Sequence, residues 1–129
     1  MKKTVLKIAV SLIILIICSC ATSGANTGNQ ITGIFTGTIP AADCPGIVVV
    51  AILEPSGYFK FTYQYIDRDA ALVTYTGTYT FDEKSKTITL SRNDLPPFYK
   101  LKGNYLIQLD LDKNEIKGDL AKMYRLRKL

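Results

Sequence analysis

The chemistry open to this chain is bounded first by what it lacks. Its 129 residues include no histidine and no tryptophan, and three cysteines: Cys18, Cys20 and Cys44. Cys44 lies in the stretch GTIPAADCPGI (37–47), beside Asp43 and between Pro40 and Pro45. A copper site wants soft or imidazole ligands. Around Cys44 the local donors reduce to one thiol and one carboxylate, and Met123 is the only other sulfur further along the chain. Cys44 is thus a weak candidate ligand for copper, and no cofactor is expected. A dithiol redox function needs a resolving partner, and Ala41 stands where a Cys-x-x-Cys spacing would place it. A disulfide between Cys44 residues of two chains is the remaining thiol chemistry, and it would make a homodimer. The other reading of the stretch is structural. Pro40 ends a strand because proline cannot donate to a ladder. Asp43 fastens an Asx-type turn, Pro45 and Gly46 launch the next strand, and Cys44 packs as a small apolar residue.

Carboxylates offer no better start for catalysis. With no histidine, base catalysis would fall to Asp or Glu, and these sit singly in turn-like segments. The pair Asp110/Asp112 in DLDKNE lacks the glycine and the bidentate glutamate of a calcium loop at EF-hand spacing. The chain is read as non-enzymatic.

The N-terminus explains the other two cysteines. Lys2, Lys3 and Lys7 precede or open an apolar block over 8–17 that is interrupted only by Ser11. A basic start followed by about ten apolar residues describes a secretory signal, and a block that short does not span a membrane. It ends in Ile17-Cys18-Ser19-Cys20, which resembles the bacterial lipobox. The resemblance implies lipidation of Cys20 and cleavage before it. An ordinary signal peptide cut after Ala21 or Ala25 is the alternative. The expected layout is a lipoprotein signal over 1–19, a tether of small polar residues over 20–30 and a single domain over 31–129. Two or more acyl chains give stable membrane anchoring. The expected location is the bacterial cell envelope, lipid-anchored, at the outer membrane facing the periplasm.

Processing also changes the charge. The whole chain has 16 basic and 11 acidic residues. Without the three leading lysines, 13 basic residues face the same 11 acids, a balance of +2. Nothing in that balance calls for nucleic acid, and the basic end YRLRKL reads as a solvated strand edge.

Beyond residue 30 the apolar residues alternate. Phe59, Phe61, Tyr63 and Tyr65 share one face of a strand, with Lys60, Thr62 and Gln64 on the other. Val73, Tyr75, Gly77, Tyr79 and Phe81 alternate with four threonines. Successive side chains of a strand point to opposite faces, so both segments predict half-buried strands. Gly77 in mid-strand predicts a bulge or bend. ITGIFTGTI, GIVVVAILE, KTITLS, PFYKLKG, NYLIQLD, IKGDL and AKMYRLRKL read as further strands, with Gly103-Asn104 as a tight turn. About six to eight short strands with short connections predict an all-β antiparallel sandwich or small up-and-down barrel. GIVVVAILE is apolar on both faces. It needs cover from the tether, a second copy or the chain itself, or a place between two sheets.

With the lipobox and the strands in hand, GTIPAADCPGI is similar to the segment G-x-L-P-C-A-D-C-x-G-I of the NlpE N-terminal domain family, lipoproteins linked to copper resistance and envelope stress. Pro40, Asp43, Cys44 and Gly46 carry the match, while Ala41 stands for the family's first cysteine. YTGTYTF, ITL, YKLKGNYLIQLDLDKNEI and YRL extend the resemblance over residues 32–128. It implies a lipocalin-like barrel on a lipid anchor, acting as an interaction or envelope-stress module with an envelope protein as partner. The aromatic rows could instead line a cavity for a small apolar ligand, as in a carrier, or fill the barrel. A periplasmic hydrolase inhibitor is a third reading.

Overall fold

The structure is a computed structural model that describes residues 31–68 and 71–129. The expected signal, Cys20 and the tether lie outside the described residues. The alternating segments become the wall of one closed antiparallel barrel of eight strands, each paired with its neighbours in chain order. The strands are β1 (Gly33–Ile39), β2 (Ile47–Leu53), β3 (Tyr58–Tyr65), β4 (Val73–Asp82), β5 (Thr87–Leu90), β6 (Phe98–Lys102), β7 (Tyr105–Gln108) and β8 (Arg125–Lys128). A 3₁₀ turn, Ala121–Tyr124, leads into β8. No helix among the described residues is long and apolar enough to cross a membrane.

Alternation decides what fills the barrel. Phe35, Ala51, Phe61, Ile88 and Leu106 are fully buried. The Phe61 ring meets Phe59 and Tyr99 edge-on, with centroids 5.4 Å away in each case. Such edge-to-face pairs add to the roughly 1.5–3 kcal/mol of burying each large apolar side chain. The threonines of β4 lie outside, and Thr62 and Thr74 hydroxyls pair across β3 and β4 at 3.2 Å.

β2 faces the core through Val49, Ala51 and Leu53, while Val48, Val50 and Ile52 form a half-buried stripe on the outer wall. It is one strand of the barrel wall between β1 and β3, not a strand sandwiched between two sheets. Gly77 makes no bulge. It sits in unbroken register opposite Phe59, and a Cβ there would lie 2.9 Å from the Phe59 ring and 2.9 Å from the Ser91 hydroxyl. The glycine is the space into which Phe59 packs. The segment IKGDL forms no strand. Leu109 and Glu115 make an isolated bridge, and the chain then runs through turns to the 3₁₀ turn.

The two ends of the barrel differ. At one end the connections are short: 54–57, 83–86 and 103–104. Gly103 has φ 58°, which fits a two-residue hairpin with glycine first. The Tyr79 hydroxyl closes this end from inside, lying against the carbonyls of Ile31 and Glu54. At the other end the longer connections 40–46, 91–97 and 109–124, with the described parts of the β3–β4 connection (66–68 and 71–72), surround the mouth.

Candidate functional site

The motif segment forms one lip of the mouth. β1 stops at Pro40, as the missing donor requires, and the chain bends over 42–45 before β2 begins. The Cys44 thiol donates to the Gly46 carbonyl at 3.2 Å. The Ile66 N–H donates to the same carbonyl at 3.0 Å, tying this lip to the end of β3. A Cβ on Gly46 would stand 2.8 Å from Thr38 Cγ2, so the close return of the chain past β1 requires glycine. Arg68 donates to Asp43 at 2.8 Å across the lip. That pair is exposed, and surface pairs of this kind contribute about 0–1 kcal/mol. The motif is therefore built as a fastened turn.

Inside the lip the mouth opens on a cup of about 350 Å³. Tyr63, Tyr65 and Tyr75 form its aromatic wall, with Tyr124 from the 3₁₀ turn. Ile39, Ile47 and Leu95 add apolar surface, Pro40 and Pro96 stiffen the rim, and Asp94 and Gln108 supply the polar groups. Tyr63 and Tyr75 stand edge to face with centroids 5.6 Å apart. The Arg92 guanidinium lies 5.3 Å from the Tyr75 ring centre. It is held there by Asp94, which accepts from Arg92 Nε at 2.8 Å, and by the Thr76 carbonyl at 3.2 Å. Asp94 is held below the usual carboxylate range by that guanidinium. Burial pushes the Tyr63 hydroxyl up to about 12 and Tyr99, deeper in the barrel, well above its ordinary value. Both stay neutral at physiological pH. A shallower hollow of about 640 Å³ lies beside the cup, bordered by Tyr65, Asp67, Arg68, Ala71 and Val73.

The arrangement suits stacking and apolar contact. The cup brings together no paired carboxylates and no nucleophile with a base. Below it, Phe59, Phe61 and Tyr79 fill the interior, so the two expectations for the aromatic rows divide between the depth of the barrel and its mouth. Tyr124, Leu95, Pro96 and Gln108 escaped sequence reasoning, because they come from separate segments. The aromatic residues at the mouth ends of β3 and β4 were the only local signal.

Among the described residues no group of three or more His, Cys, Asp or Glu side chains could hold a metal ion. Copper chemistry does not fit the motif turn. Cys44 has its thiol on Gly46, Ala41 offers no donor, and the chain has no histidine. Asp110 accepts the backbone N–H groups of Asp112 and Asn114 at 2.9 and 2.8 Å, so its carboxylate fastens its own turn.

The family pattern described as the NlpE N-terminal domain matches residues 35–119. A crystal structure of a candidate lipoprotein from Shewanella oneidensis is similar at 32% identity and TM-score 0.67, covering 75% of this chain and 87% of that one. The Cpx pathway activator NlpE from Escherichia coli shares the fold at 24% identity and TM-score 0.59. That alignment covers 69% of this chain and 47% of the Escherichia coli protein, so the chain spans about half of its length. No curated protein matches the chain.

Proposed function

The chain belongs to the NlpE N-terminal domain family, and on that premise we propose that it is a lipid-anchored protein of the bacterial cell envelope, a non-enzymatic barrel whose mouth serves as an interaction or stress-sensing module. The observation that carries this reading is the polarity of the barrel. Its core is solid, its short-turn end is plugged by Tyr79, and the cup and all four long segments gather at the opposite end. Recognition surfaces belong on loops held by a rigid scaffold. Anchoring through Cys20 would leave the mouth free to meet a partner. The outer membrane facing the periplasm is the location we propose.

Site-directed photocrosslinking in intact cells tests the reading. A probe at Leu111, on a mouth segment and 79% exposed, should capture a defined envelope protein, and a probe at Thr80 on the wall should not. Equal capture from both positions would remove the mouth as the contact surface.

The cup also supports a second reading, a carrier of a small apolar ligand. Its volume lies at the lower end of the range of ligand pockets. Native mass spectrometry of the protein should then show a bound apolar mass that is lost in Tyr75→Ala. An apo mass for the unaltered chain would discard the carrier reading.

A further inference from the structure

We propose that the closed end of the barrel is a docking face for anionic lipid headgroups, holding the barrel against its own membrane with the mouth turned away. The inference rests on the lipid-anchored reading only for where that membrane lies.

The first support is the path of the chain. β1 starts at the closed end, and the Ile31 carbonyl sits there against Tyr79. The described chain therefore begins at this end. The eleven residues from Cys20 to residue 30 can span at most about 40 Å, so an anchor at Cys20 keeps the closed end near the bilayer.

The second support is the outer wall at that end, which the strand registers make continuous. Lys102 pairs with Tyr105, and Tyr105 with Arg127. Lys128 shares the inward face of its strand with Phe35 and brings its Nζ to 6.0 Å from that ring at the closed rim, and the Leu129 N–H donates to the Ile34 carbonyl. Ile34 pairs with Ile52, and Ile52 with Lys60, two residues from Tyr58. Basic side chains thus stand beside apolar or tyrosyl ones along the arc that flanks the start of β1, with Lys102 and Arg127 on either side of Tyr105 and Lys60 beside Ile52. Ile34, Tyr58, Tyr105 and Leu129 are all large side chains left exposed, Tyr58 by 57%. Tyrosine with lysine and arginine is the composition of a membrane–water interface, where the ring enters the headgroup level and the charge meets phosphate.

The third support is the axial distribution of charge. Lys84 and Lys86 on the β4–β5 turn add to the basic residues of the arc. Among the described acids, only Glu54, Asp82 and Glu83 belong to the short-turn end. The other described acids lie in the mouth segments. One of them, Glu115, reaches back to Lys102 at 3.6 Å, but the lysine remains 66% exposed. The mouth acids are largely offset by Arg68, Arg92, Lys113, Lys117 and Lys122 in the same segments, so the positive part of this near-neutral chain is the closed end toward the anchor. Anionic membrane surfaces attract basic segments, and a lipid anchor with a basic face makes the two signals that together give stable membrane attachment.

The test uses the absence of tryptophan. The full lipidated chain carrying either Tyr58→Trp or Leu111→Trp is placed in vesicles of phosphatidylglycerol and phosphatidylcholine, some with brominated acyl chains. The Tyr58→Trp emission should shift to the blue and be quenched, and the Leu111→Trp emission should not. The quenching should vanish in pure phosphatidylcholine, at about 1 M salt, where screening falls to about 3 Å, and in the Lys102→Glu/Arg127→Glu background. Equal quenching of both probes, quenching indifferent to lipid charge, or an unquenched Tyr58→Trp chain as a protein occupant of this face would produce, each overturns the proposal. The anchor and the docking face fail separately. The unlipidated chain should still sediment with phosphatidylglycerol vesicles and not with phosphatidylcholine, losing about fivefold in binding per neutralised charge. A chain found to lack its acyl groups yet behaving this way sinks only the anchor. An unlipidated chain that ignores phosphatidylglycerol sinks the docking face.

Discussion

Replacing Gly37 should open the barrel at its seam. β1 pairs with β2 through seven residues but meets β8 through only two pairs, Phe35 with Lys128 and Thr36 with Arg127. Gly37 comes next on β1. A Cβ there would stand 2.8 Å from the Arg125 carbonyl oxygen, 3.0 Å from Leu126 Cδ2 and 3.3 Å from Leu126 Cα. Two of these three atoms are backbone, so relief requires β8 to move away. Overpacking of this kind costs about 1–3 kcal/mol, and the backbone contacts put Gly37→Ala in the upper half, about 2–3 kcal/mol. For a domain of this size that lowers Tm by roughly 10–20 °C. Gly37→Val should do more. Thermal unfolding followed by circular dichroism gives the magnitude. Amide exchange gives the place: β1 and β8 should lose protection while the β3–β4 pair keeps it. A Gly37→Ala chain within about 0.5 kcal/mol of the original, the range of an ordinary surface change, would refute the seam geometry.

Further expectations follow from the closed end, the hydroxyls and the motif. Tyr79→Phe removes the hydroxyl held by the Glu54 and Ile31 carbonyls. It should cost about 1–2 kcal/mol and raise proteolysis near residue 31, and an unchanged digestion pattern would contradict the plug. Tyr63 has its hydroxyl raised by burial to about 12. Its neutral form is favoured in the folded state, so its contribution is complete below about pH 10 and lost as pH climbs towards 12. That is on the order of 2–3 kcal/mol, read from denaturant midpoints across that window, and Tyr63→Phe should flatten the slope. Lys86 holds φ 58° in the β4–β5 turn, so Lys86→Gly should stabilise by about 1 kcal/mol, and a loss of stability would argue against that turn. Cys44→Ala should leave copper titrations of the protein unchanged, and loss of a bound equivalent would restore the thiol as a ligand.

The wall of the barrel was legible because β3 and β4 show alternation over eight and ten residues. Each inward aromatic there has only one face to occupy. β2 showed its excess of apolar residues but not its place, since a run apolar on both faces reads the same in a wall and between sheets. Gly77 shows a limit of another kind. A lone glycine in a strand signals either a bulge or a close approach, and only the position of Phe59 across the ladder decides between them. IKGDL alternates like a strand, but Asp110 collects two backbone N–H groups and turns the chain before a ladder can form. The motif around Cys44 was visible as a turn from Pro40 and Gly46, but Asp43 makes no Asx-type turn and instead accepts from Arg68 across the lip, and neither that pair nor the hydrogen bond from the Cys44 thiol to Gly46 could be read from residue order. The cup was hidden for the same reason. Pro40, Leu95, Gln108 and Tyr124 share no local pattern, and only barrel closure brings them to one rim.

The central claim is that this barrel is held to a membrane through Cys20. Intact mass spectrometry of the protein extracted from the membranes of its own cells tests it most directly. The account predicts a chain that begins at Cys20 and carries the added mass of a diacylglyceryl group. A mature chain that begins at Ala21 or beyond, or one that keeps residues 1–19 with no acyl mass, would contradict it.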